Sequence, residues 1–128
     1  MTIRSAKDLI KDASASVKAI SADDAVELVD QPDVVFVDVR EASELEKTGT
    51  VKGAVHVPRG LIEFQADPSS SSHKAELDPG KRLVLFCASG GRSTLAAGSL
   101  QAMGFENAVS VEGGFPALQS AGIPIKKA

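Results

Sequence analysis

The sequence has a single cysteine, no tryptophan and no tyrosine among its 128 residues. One cysteine excludes an internal disulfide and a Cys-x-x-Cys site. The two histidines, His56 and His73, are too far apart to give a recognisable metal-binding spacing. We therefore expect no metal site and no cofactor. The lone thiol of Cys87 then serves either core packing or chemistry.

The chain also lacks an excess of positive charge and any long apolar run. Its formal net charge is −3, and its basic residues form no cluster beyond the short pair Lys126 and Lys127. We expect no general affinity for nucleic acid or for an anionic membrane surface. No segment is apolar for long enough to span a bilayer or to resemble a secretory signal, so a cytoplasmic protein is the default expectation.

The composition is that of an ordinary globular domain, with 43% hydrophobic and 24% charged residues. A chain of this length is large enough for one hydrophobic core. The stretch 66–80 is rich in serine, proline and glycine and has no periodicity, which predicts a long surface connection. Neither side of it has enough strands for a core of its own, so we predict a single domain over residues 1–128.

Short apolar runs alternate with helical signals along the chain. Ser5 and Ser21 are each followed three residues later by aspartate, a pattern typical of helix N-termini. This alternation predicts an α/β fold of three layers, with a mainly parallel central sheet flanked by helices on both faces. The runs that predict buried strands are 34–37, 54–57, 83–86 and 108–111.

Cys87 lies between a predicted strand and a predicted helix. It directly follows the run 83–86, and after Arg92 the residues Ala96, Leu100 and Met103 recur at helical spacing. Gly104 then occupies the position where a left-handed C-cap is expected. The order strand, tight loop, helix places Cys87 at the carboxyl end of a strand, where ligands of parallel sheets collect.

The residues after Cys87 favour a reactive thiol over an inert core cysteine. Gly90 and Gly91 permit backbone conformations that turn successive amide groups inward, and the following helix N-terminus adds partial positive charge. Such surroundings lower the pKa of a thiol and create the nucleophilic thiolate. Arg92 adds a charge and a planar group suited to oxyanions.

The loop resembles the active-site loop of the rhodanese family, whose pattern is Cys-x-x-Gly-x-Arg-Ser. The resemblance extends over about residues 17–125 and leaves an N-terminal helical extension at 1–16. Thr50 replaces the family's usual histidine and Leu118 its usual tryptophan, and both positions look like packing positions. The further matching segments are Asp-Val-Arg at 38–40 with Glu44, Gly-x-x-x-Gly-Ala at 49–54 ending in Pro58, Gly-Gly at 113–114 and Ala-Gly-x-Pro at 121–124.

The resemblance implies a thiosulfate sulfurtransferase that carries sulfane sulfur as a persulfide on Cys87. The donor would be thiosulfate or a related small anion, and the acceptor a thiol or cyanide, with protein donors or acceptors as further partners. Arg92 would hold the oxyanion of the donor. The residues expected to bind substrate through the loop are Ala88, Ser89, Gly90, Gly91, Arg92 and Ser93.

Three residues outside the loop are candidates for supporting roles. Asp38 ends a strand as Cys87 does, so both are expected at the same edge of the sheet. Asp38 and Arg40 equally fit a structural pair, and Arg40 and Glu44 have the spacing of a surface ion pair on a helix. Arg59, after Pro58, is a candidate for attracting an anion. His56 and His73 are expected to be packing or surface residues.

Three alternatives to a thiosulfate sulfurtransferase remain at this point. A cysteine phosphatase or arsenate reductase also places cysteine before an anion-binding loop, but the phosphatase loop has five residues before its arginine and this chain has four. A sulfur-relay module would use the same persulfide with a protein donor. An inactive regulatory domain of the same family typically lacks the cysteine that is present here.

Overall fold

The strands and helices alternate as the sequence predicts. A computed structural model describes residues 2–128. Its strands are β1 (Lys18–Ile20), β2 (Val34–Asp38), β3 (Thr50–Val51), β4 (Val55–His56), β5 (Arg82–Phe86), β6 (Ala108–Val111) and β7 (Ile125–Lys126). Its helices are α1 (Ala6–Ser14), α2 (Ala22–Val26), α3 (Ala42–Thr48), α4 (Ile62–Ala66), α5 (Gly91–Met103) and α6 (Gly114–Ser120), with a 3-10 turn at Arg59–Leu61.

The central sheet has five strands in the order β1-β6-β5-β2-β4, and all of its pairings are parallel. Strands β3 and β7 form a separate antiparallel pair. In the β2–β5 ladder Asp38 lies opposite Phe86, and the Val39 amide donates to the Phe86 carbonyl at 3.0 Å. Asp38 and Cys87 therefore reach the same edge of the sheet, as predicted.

Alternate residues of β5 pack into two different cores. Leu83 and Leu85, followed by Cys87, face the side covered by α1, α4 and α5. Val84 and Phe86 face the opposite side, where α2 and α6 pack. A strand buried on both faces reads as a continuous apolar run because neither set of side chains meets water. The predicted three-layer α/β architecture is confirmed.

The helix ends follow their local sequence signals. Ser5 accepts a hydrogen bond from the Asp8 amide and Asp8 bonds back to the Ser5 amide, which completes a capping box. Ser21 caps α2 by accepting from the Asp24 amide at 3.1 Å. Gly104 ends α5 with φ of +111°, the left-handed conformation expected of a C-cap. No helix within residues 2–128 is both long and apolar enough to cross a membrane.

Two predictions about burial are only partly right. Of the run 54–57 only Val55–His56 forms a strand, and both residues are half-buried because β4 lies at the edge of the sheet. Met103 shares helical spacing with Leu100 but is 39% exposed at the last turn of α5. Of the predicted connection 66–80, Ala66 still belongs to α4 and 67–80 contain no helix or strand, yet Leu77 is buried in the core and anchors the loop.

Candidate active site

Cys87 lies in a tight connection between β5 and α5. The residue is fully buried, and its side chain follows Leu85 on the face of the sheet that α5 covers. Gly90 is the N-cap of α5 with φ of +112°, a conformation that side chains strongly disfavour. The helix begins at Gly91, so Arg92 and Ser93 belong to its first turn rather than to the loop before it.

The sulfur of Cys87 lies within hydrogen-bonding distance of two residues at the start of α5. The Gly90 amide donates to Sγ at 3.0 Å, and the Ser93 hydroxyl lies 3.5 Å from Sγ. Burial raises the pKa of the Cys87 thiol, but the Ser93 hydroxyl and the backbone amides of Ser93, Ser89 and Gly90 together outweigh it. The pKa of the thiol is therefore lower than that of an ordinary cysteine, and the thiolate is favoured.

Three hydroxyl groups form a cluster next to the sulfur, and the residues of two of them, Ser93 and Ser110, are buried. The Oγ atoms of Ser93 and Ser110 are 2.8 Å apart, and the Thr94 hydroxyl lies 3.3 Å from Ser110 Oγ. Thr94 also donates to the Gly90 carbonyl at 2.7 Å. The cluster joins β6 to the first turn of α5 and thereby fixes the position of the loop.

Arg92 forms a bidentate ion pair with Glu44 of α3. Its two terminal nitrogens donate to the two carboxylate oxygens at 2.7 and 2.8 Å. Hydrogen bonding to Arg92 lowers the pKa of Glu44 to about 2, and burial opposes this only in part. The same bonds raise the pKa of Arg92, burial opposes them, and the neighbouring Cys87 sulfur adds to the increase. Arg92 is therefore held close to the sulfur with a fixed orientation.

Asp38 and Arg40 form a buried ion pair beside the loop. Arg40 Nη2 lies 2.8 Å from Asp38 Oδ2, and Nε donates to Oδ1 at 3.0 Å. The Arg40 side chain also donates to Thr48 and to the Gly49 carbonyl. Asp38 and Arg40 therefore form the ion pair that the sequence suggested. The alternative pairing of Arg40 with Glu44 is wrong, because Arg40 precedes α3 and turns back toward the sheet.

The two positions where the sequence departs from the family pattern both pack inside the protein. Thr50 donates its hydroxyl to Asp38 Oδ2 at 2.7 Å and so joins the Asp38–Arg40 pair. Leu118 is fully buried in the second core, which also contains Phe115. The guanidinium of Arg40 stacks 4.2 Å from the centre of the Phe115 ring. The Thr50 hydroxyl and the Phe115 ring therefore both contact the ion pair.

The first residues of α6 contact the backbone of the loop that carries Cys87. The Phe115 amide donates to the Cys87 carbonyl at 2.7 Å, which fixes the backbone of the cysteine itself. Gly114 has φ of +59° and lies directly against the backbone of Cys87 and Ala88. A β-carbon at Gly114 would lie 2.8 Å from the Ala88 carbonyl carbon. Glycine at position 114 therefore lets the backbone of α6 approach the backbone of the Cys87 loop.

Helix α1 packs beside the loop, although it lies outside the segment that resembles the family. Ile10 approaches Gly91 so closely that a β-carbon on Gly91 would meet its terminal carbon at 3.0 Å. Together with the loop and the end of β6, Ile10 borders an open groove of about 430 Å³. The N-terminal extension thus contributes to the shape of the surface around the candidate site.

The structure does not bring the other candidate residues into the loop. Arg59 pairs with Glu63 at 3.1 Å and donates to Ser99 in the middle of α5. His56 Nε2 lies 2.7 Å from the Arg40 carbonyl, and His73 Nδ1 lies 3.1 Å from the Gln65 carbonyl. Both histidines thus pack against backbone groups, which agrees with their expected roles.

Sequence reasoning missed two contributors to the site. Glu44 is separated from Arg92 by 48 positions, so no local pattern links them. Ser110 lies within an apolar run, where a small polar residue attracts no notice. The one available signal was the presence of a serine inside an apolar strand, because a hydroxyl at a buried position needs a hydrogen-bond partner.

Comparison with known proteins places the chain in a family. The sequence model of the Rhodanese-like domain matches residues 21–121. A solved structure from Rhodopseudomonas palustris, a protein of unknown function described as a possible tyrosine phosphatase, shares 38% identity over 98% of both chains with a TM-score of 0.91. The polysulfide-sulfur transferase homodimer of Wolinella succinogenes shares 32% identity over 94% of this chain and 85% of its own, with a TM-score of 0.75.

Curated relatives match over a shorter part of their length. The tRNA uridine(34) hydroxylase of Hamiltonella defensa is 35% identical over 95 residues, which is 74% of this chain and 26% of that protein. The chain thus spans about a quarter of the length of the curated relatives it matches. The profile match over most of the chain and the similarity of the solved structures agree with the loop geometry, and the chain belongs to the rhodanese-like domain family.

Proposed function

We propose that the chain is a sulfurtransferase that moves sulfane sulfur from a small donor to a thiophilic acceptor through a persulfide on Cys87. The observation that carries this proposal is the environment of the Cys87 sulfur. A buried sulfur that accepts from the Gly90 amide and lies near the Ser93 hydroxyl has a lowered thiol pKa, which favours the thiolate. The 32% identity to the polysulfide-sulfur transferase of Wolinella succinogenes supports the same chemistry.

The first half of the reaction loads the cysteine. The Cys87 thiolate attacks the outer sulfur of thiosulfate, and a new bond forms between the two sulfur atoms. The sulfur–sulfur bond of thiosulfate breaks, and its electron pair leaves with sulfite. The product is an anionic persulfide on Cys87, and the lowered pKa of the thiol favours the thiolate that makes the attack. The segment from Ala88 to Ser93, with the Gly90 amide and the Ser93 hydroxyl, stabilises this anion.

The second half of the reaction unloads the cysteine. An acceptor thiolate or cyanide attacks the outer sulfur of the persulfide and forms a bond to it. The bond between the two persulfide sulfurs breaks, and its electron pair returns to Cys87 as the thiolate. With cyanide as acceptor the product is thiocyanate, so the enzyme is regenerated without any cofactor.

Arg92 has a specific role in this proposal: it helps to bind the oxyanion of the donor. Replacing Arg92 by alanine should lower kcat/KM for thiosulfate by about 10- to 100-fold, because one charge-assisted hydrogen bond is worth about 1.5–3 kcal/mol. Steady-state thiocyanate assays measure the change, and most of it should appear in KM. Glu44 remains ionised at every pH well above 2, so Arg92 keeps its orientation throughout the assay range.

Arg4→Ala provides the matched control for this prediction. Arg4 is exposed and pairs with Asp12 on the surface of α1, so its loss should leave the thiocyanate kinetics unchanged. If Arg92→Ala were as active as Arg4→Ala, Arg92 would have no part in donor binding, and its pairing with Glu44 would be structural alone.

A phosphatase activity is the alternative that the relative from Rhodopseudomonas palustris raises. Cysteine phosphatases resemble rhodaneses in fold, but their loop places five residues between cysteine and arginine. Here four residues separate Cys87 from Arg92. A shorter loop encloses less space and suits a single sulfur atom better than a phosphate group. We therefore prefer sulfur transfer, and hydrolysis of an aryl phosphate by the native protein would favour the alternative.

A sulfur relay between proteins is the second alternative, and it uses the same persulfide. It is favoured by two large apolar side chains on the segment after Pro58: Leu61 is 44% exposed and Phe64 is 60% exposed. The two residues are three positions apart at the 3-10 turn and α4, and a contiguous exposed apolar patch often marks contact with a partner. In this alternative a protein persulfide loads Cys87, and thiosulfate serves only as a substitute.

Mass spectrometry of the intact protein tests the proposal directly. The reduced protein is treated with thiosulfate, and the native chain should gain the mass of one sulfur atom whereas Cys87→Ser should gain none. Cyanide should then remove the added mass and release thiocyanate. The absence of both an adduct and thiocyanate would overturn thiosulfate as donor. Loading by a protein persulfide in the same experiment would favour the relay.

A further inference from the structure

Ser110 is a buried polar residue whose side chain forms hydrogen bonds with two residues in the first turn of α5, next to Cys87. It is 2% exposed and lies on β6, with its side chain directed to the α5 side of the sheet. A buried hydroxyl without a partner costs free energy, so its contacts reveal what holds it there. The partners of Ser110 are the hydroxyls of Ser93 and Thr94, at 2.8 and 3.3 Å.

The Ser93 hydroxyl has three possible hydrogen-bond acceptors around it but only one hydrogen to donate. Its oxygen lies 2.8 Å from Ser110 Oγ, 3.1 Å from the Gly90 carbonyl oxygen and 3.5 Å from Cys87 Sγ. A serine hydroxyl carries one hydrogen and two acceptor lone pairs. Only one of these three neighbours can therefore receive the hydrogen at a given time.

The surrounding hydrogen bonds decide which neighbour receives it. The Gly90 carbonyl already accepts from the Thr94 amide at 3.0 Å and from the Thr94 hydroxyl at 2.7 Å, so both of its lone pairs are occupied. If Ser110 donates to Ser93, the Ser93 hydrogen is left for the sulfur. A thiolate gains more from a donor than a neutral carbonyl does, because charge-assisted hydrogen bonds are stronger.

We propose that Ser110 is a positioning residue that turns the Ser93 hydroxyl toward the sulfur of Cys87. Ser110 makes no hydrogen bond to the sulfur, and it acts by donating its own hydrogen to Ser93. The inference rests on the proposed function and deepens it, because the thiolate and the persulfide anion are both carried by Cys87 and both accept hydrogen bonds from the same groups. Hydrogen bonds that donate in sequence polarise one another, so Ser110 also strengthens the bond that Ser93 makes.

The charged groups around Cys87 are independent of Ser110. On the α5 side lies Arg92, which is neutralised by Glu44 of α3. On the β2 side lies the Asp38–Arg40 pair. The hydrogen bonds of Ser110 involve none of these four residues. Loss of its hydroxyl therefore changes the titration of Cys87 through Ser93 and not through a displaced charge.

The test is a pH titration of the Cys87 thiolate by its ultraviolet absorbance, with Cys87→Ser as the blank. Ser110→Ala should move the inflection upward by about 0.4 to 1 pH unit, which corresponds to one ordinary hydrogen bond. In a Ser93→Ala background the further change Ser110→Ala should cause no shift, because its target hydroxyl is gone. Ser99→Ala, a serine of α5 away from the cluster, should titrate like the native protein.

A second pair of variants keeps the inference testable if Ser110→Ala folds poorly. Ser110→Thr and Ser110→Val add the same bulk to the core, and only threonine retains the hydroxyl. Threonine should keep the native inflection and valine should raise it. Equal titration of the two, or a shift that persists without Ser93, would overturn the inference. Because the titration needs no sulfur donor, failure to form a persulfide would count against the proposed function alone.

Discussion

Replacing Arg40 by alanine should lower the free energy of unfolding by about 3–5 kcal/mol, the usual cost of removing one partner from a buried ion pair. Arg40 is 2% exposed and Asp38 is fully buried. Without the guanidinium the Asp38 carboxylate keeps only the Arg40 amide and the Thr50 hydroxyl as donors. A buried carboxylate with so little compensation must be protonated or solvated, and either process destabilises the folded state.

Urea unfolding of the native chain and the variant measures this effect. Arg4→Ala is the control, because Arg4 and Asp12 form an exposed pair whose loss should cost less than about 1 kcal/mol. The double variant Asp38→Ala, Arg40→Ala should lose less than the sum of the two single variants, since no isolated charge remains. A loss for Arg40→Ala as small as that for Arg4→Ala would show that the pair does not stabilise the fold.

The position of Cys87 could be predicted from sequence because its signals are local. An apolar run, two glycines and a helical repeat follow one another within a short segment, and each has a direct backbone consequence. The shared edge of Asp38 and Cys87 follows from parallel pairing, which the alternation of strands and helices implies. The order of the five strands in the sheet could not be predicted, because it depends on tertiary packing and no local sequence signal encodes it.

The choice of ion-pair partners could not be predicted in the same way. Arg40 and Glu44 have the spacing of a helical pair, but α3 begins at Ala42 and Arg40 lies before its N-cap. The Arg40 side chain is therefore free to turn toward Asp38. Glu44 then faces Arg92, a partner that only the tertiary fold brings near. Spacing rules apply within one helix and fail where a helix starts.

Edge position accounts for the weaker strand prediction. The run 54–57 has the apolar composition of a buried strand, yet β4 pairs with β2 on one side only. A strand with a single neighbour needs fewer residues in regular pairing, so β4 ends at His56 although the Val57 amide still donates to the Asp38 carbonyl at 2.9 Å. An apolar composition therefore does not distinguish an edge strand, which pairs with one other strand, from a central strand, which pairs with two.

Replacing Gly114 by alanine should reduce sulfur transfer by about 100-fold, since displacement of a catalytic group by about 1 Å has effects of this size. Gly114 has φ of +59°, and a β-carbon there would lie 2.8 Å from the carbonyl carbon and 2.9 Å from the carbonyl oxygen of Ala88. Both atoms belong to the backbone of the loop, so no side chain can move aside to make room. The Cys87 carbonyl would also lose its 2.7 Å bond from the Phe115 amide.

Gly53→Ala separates backbone strain from displacement of the loop. Gly53 has φ of +84°, so alanine is strained there too, but no atom lies within 4 Å of the added carbon. Both variants should therefore lose about 1–2 kcal/mol from the left-handed backbone conformation, whereas only Gly114→Ala should lose thiocyanate production and raise the pKa of Cys87. If the two variants were equally active, the contact of α6 with the loop would not position the sulfur, and the hydrogen bonds within the loop itself would be sufficient.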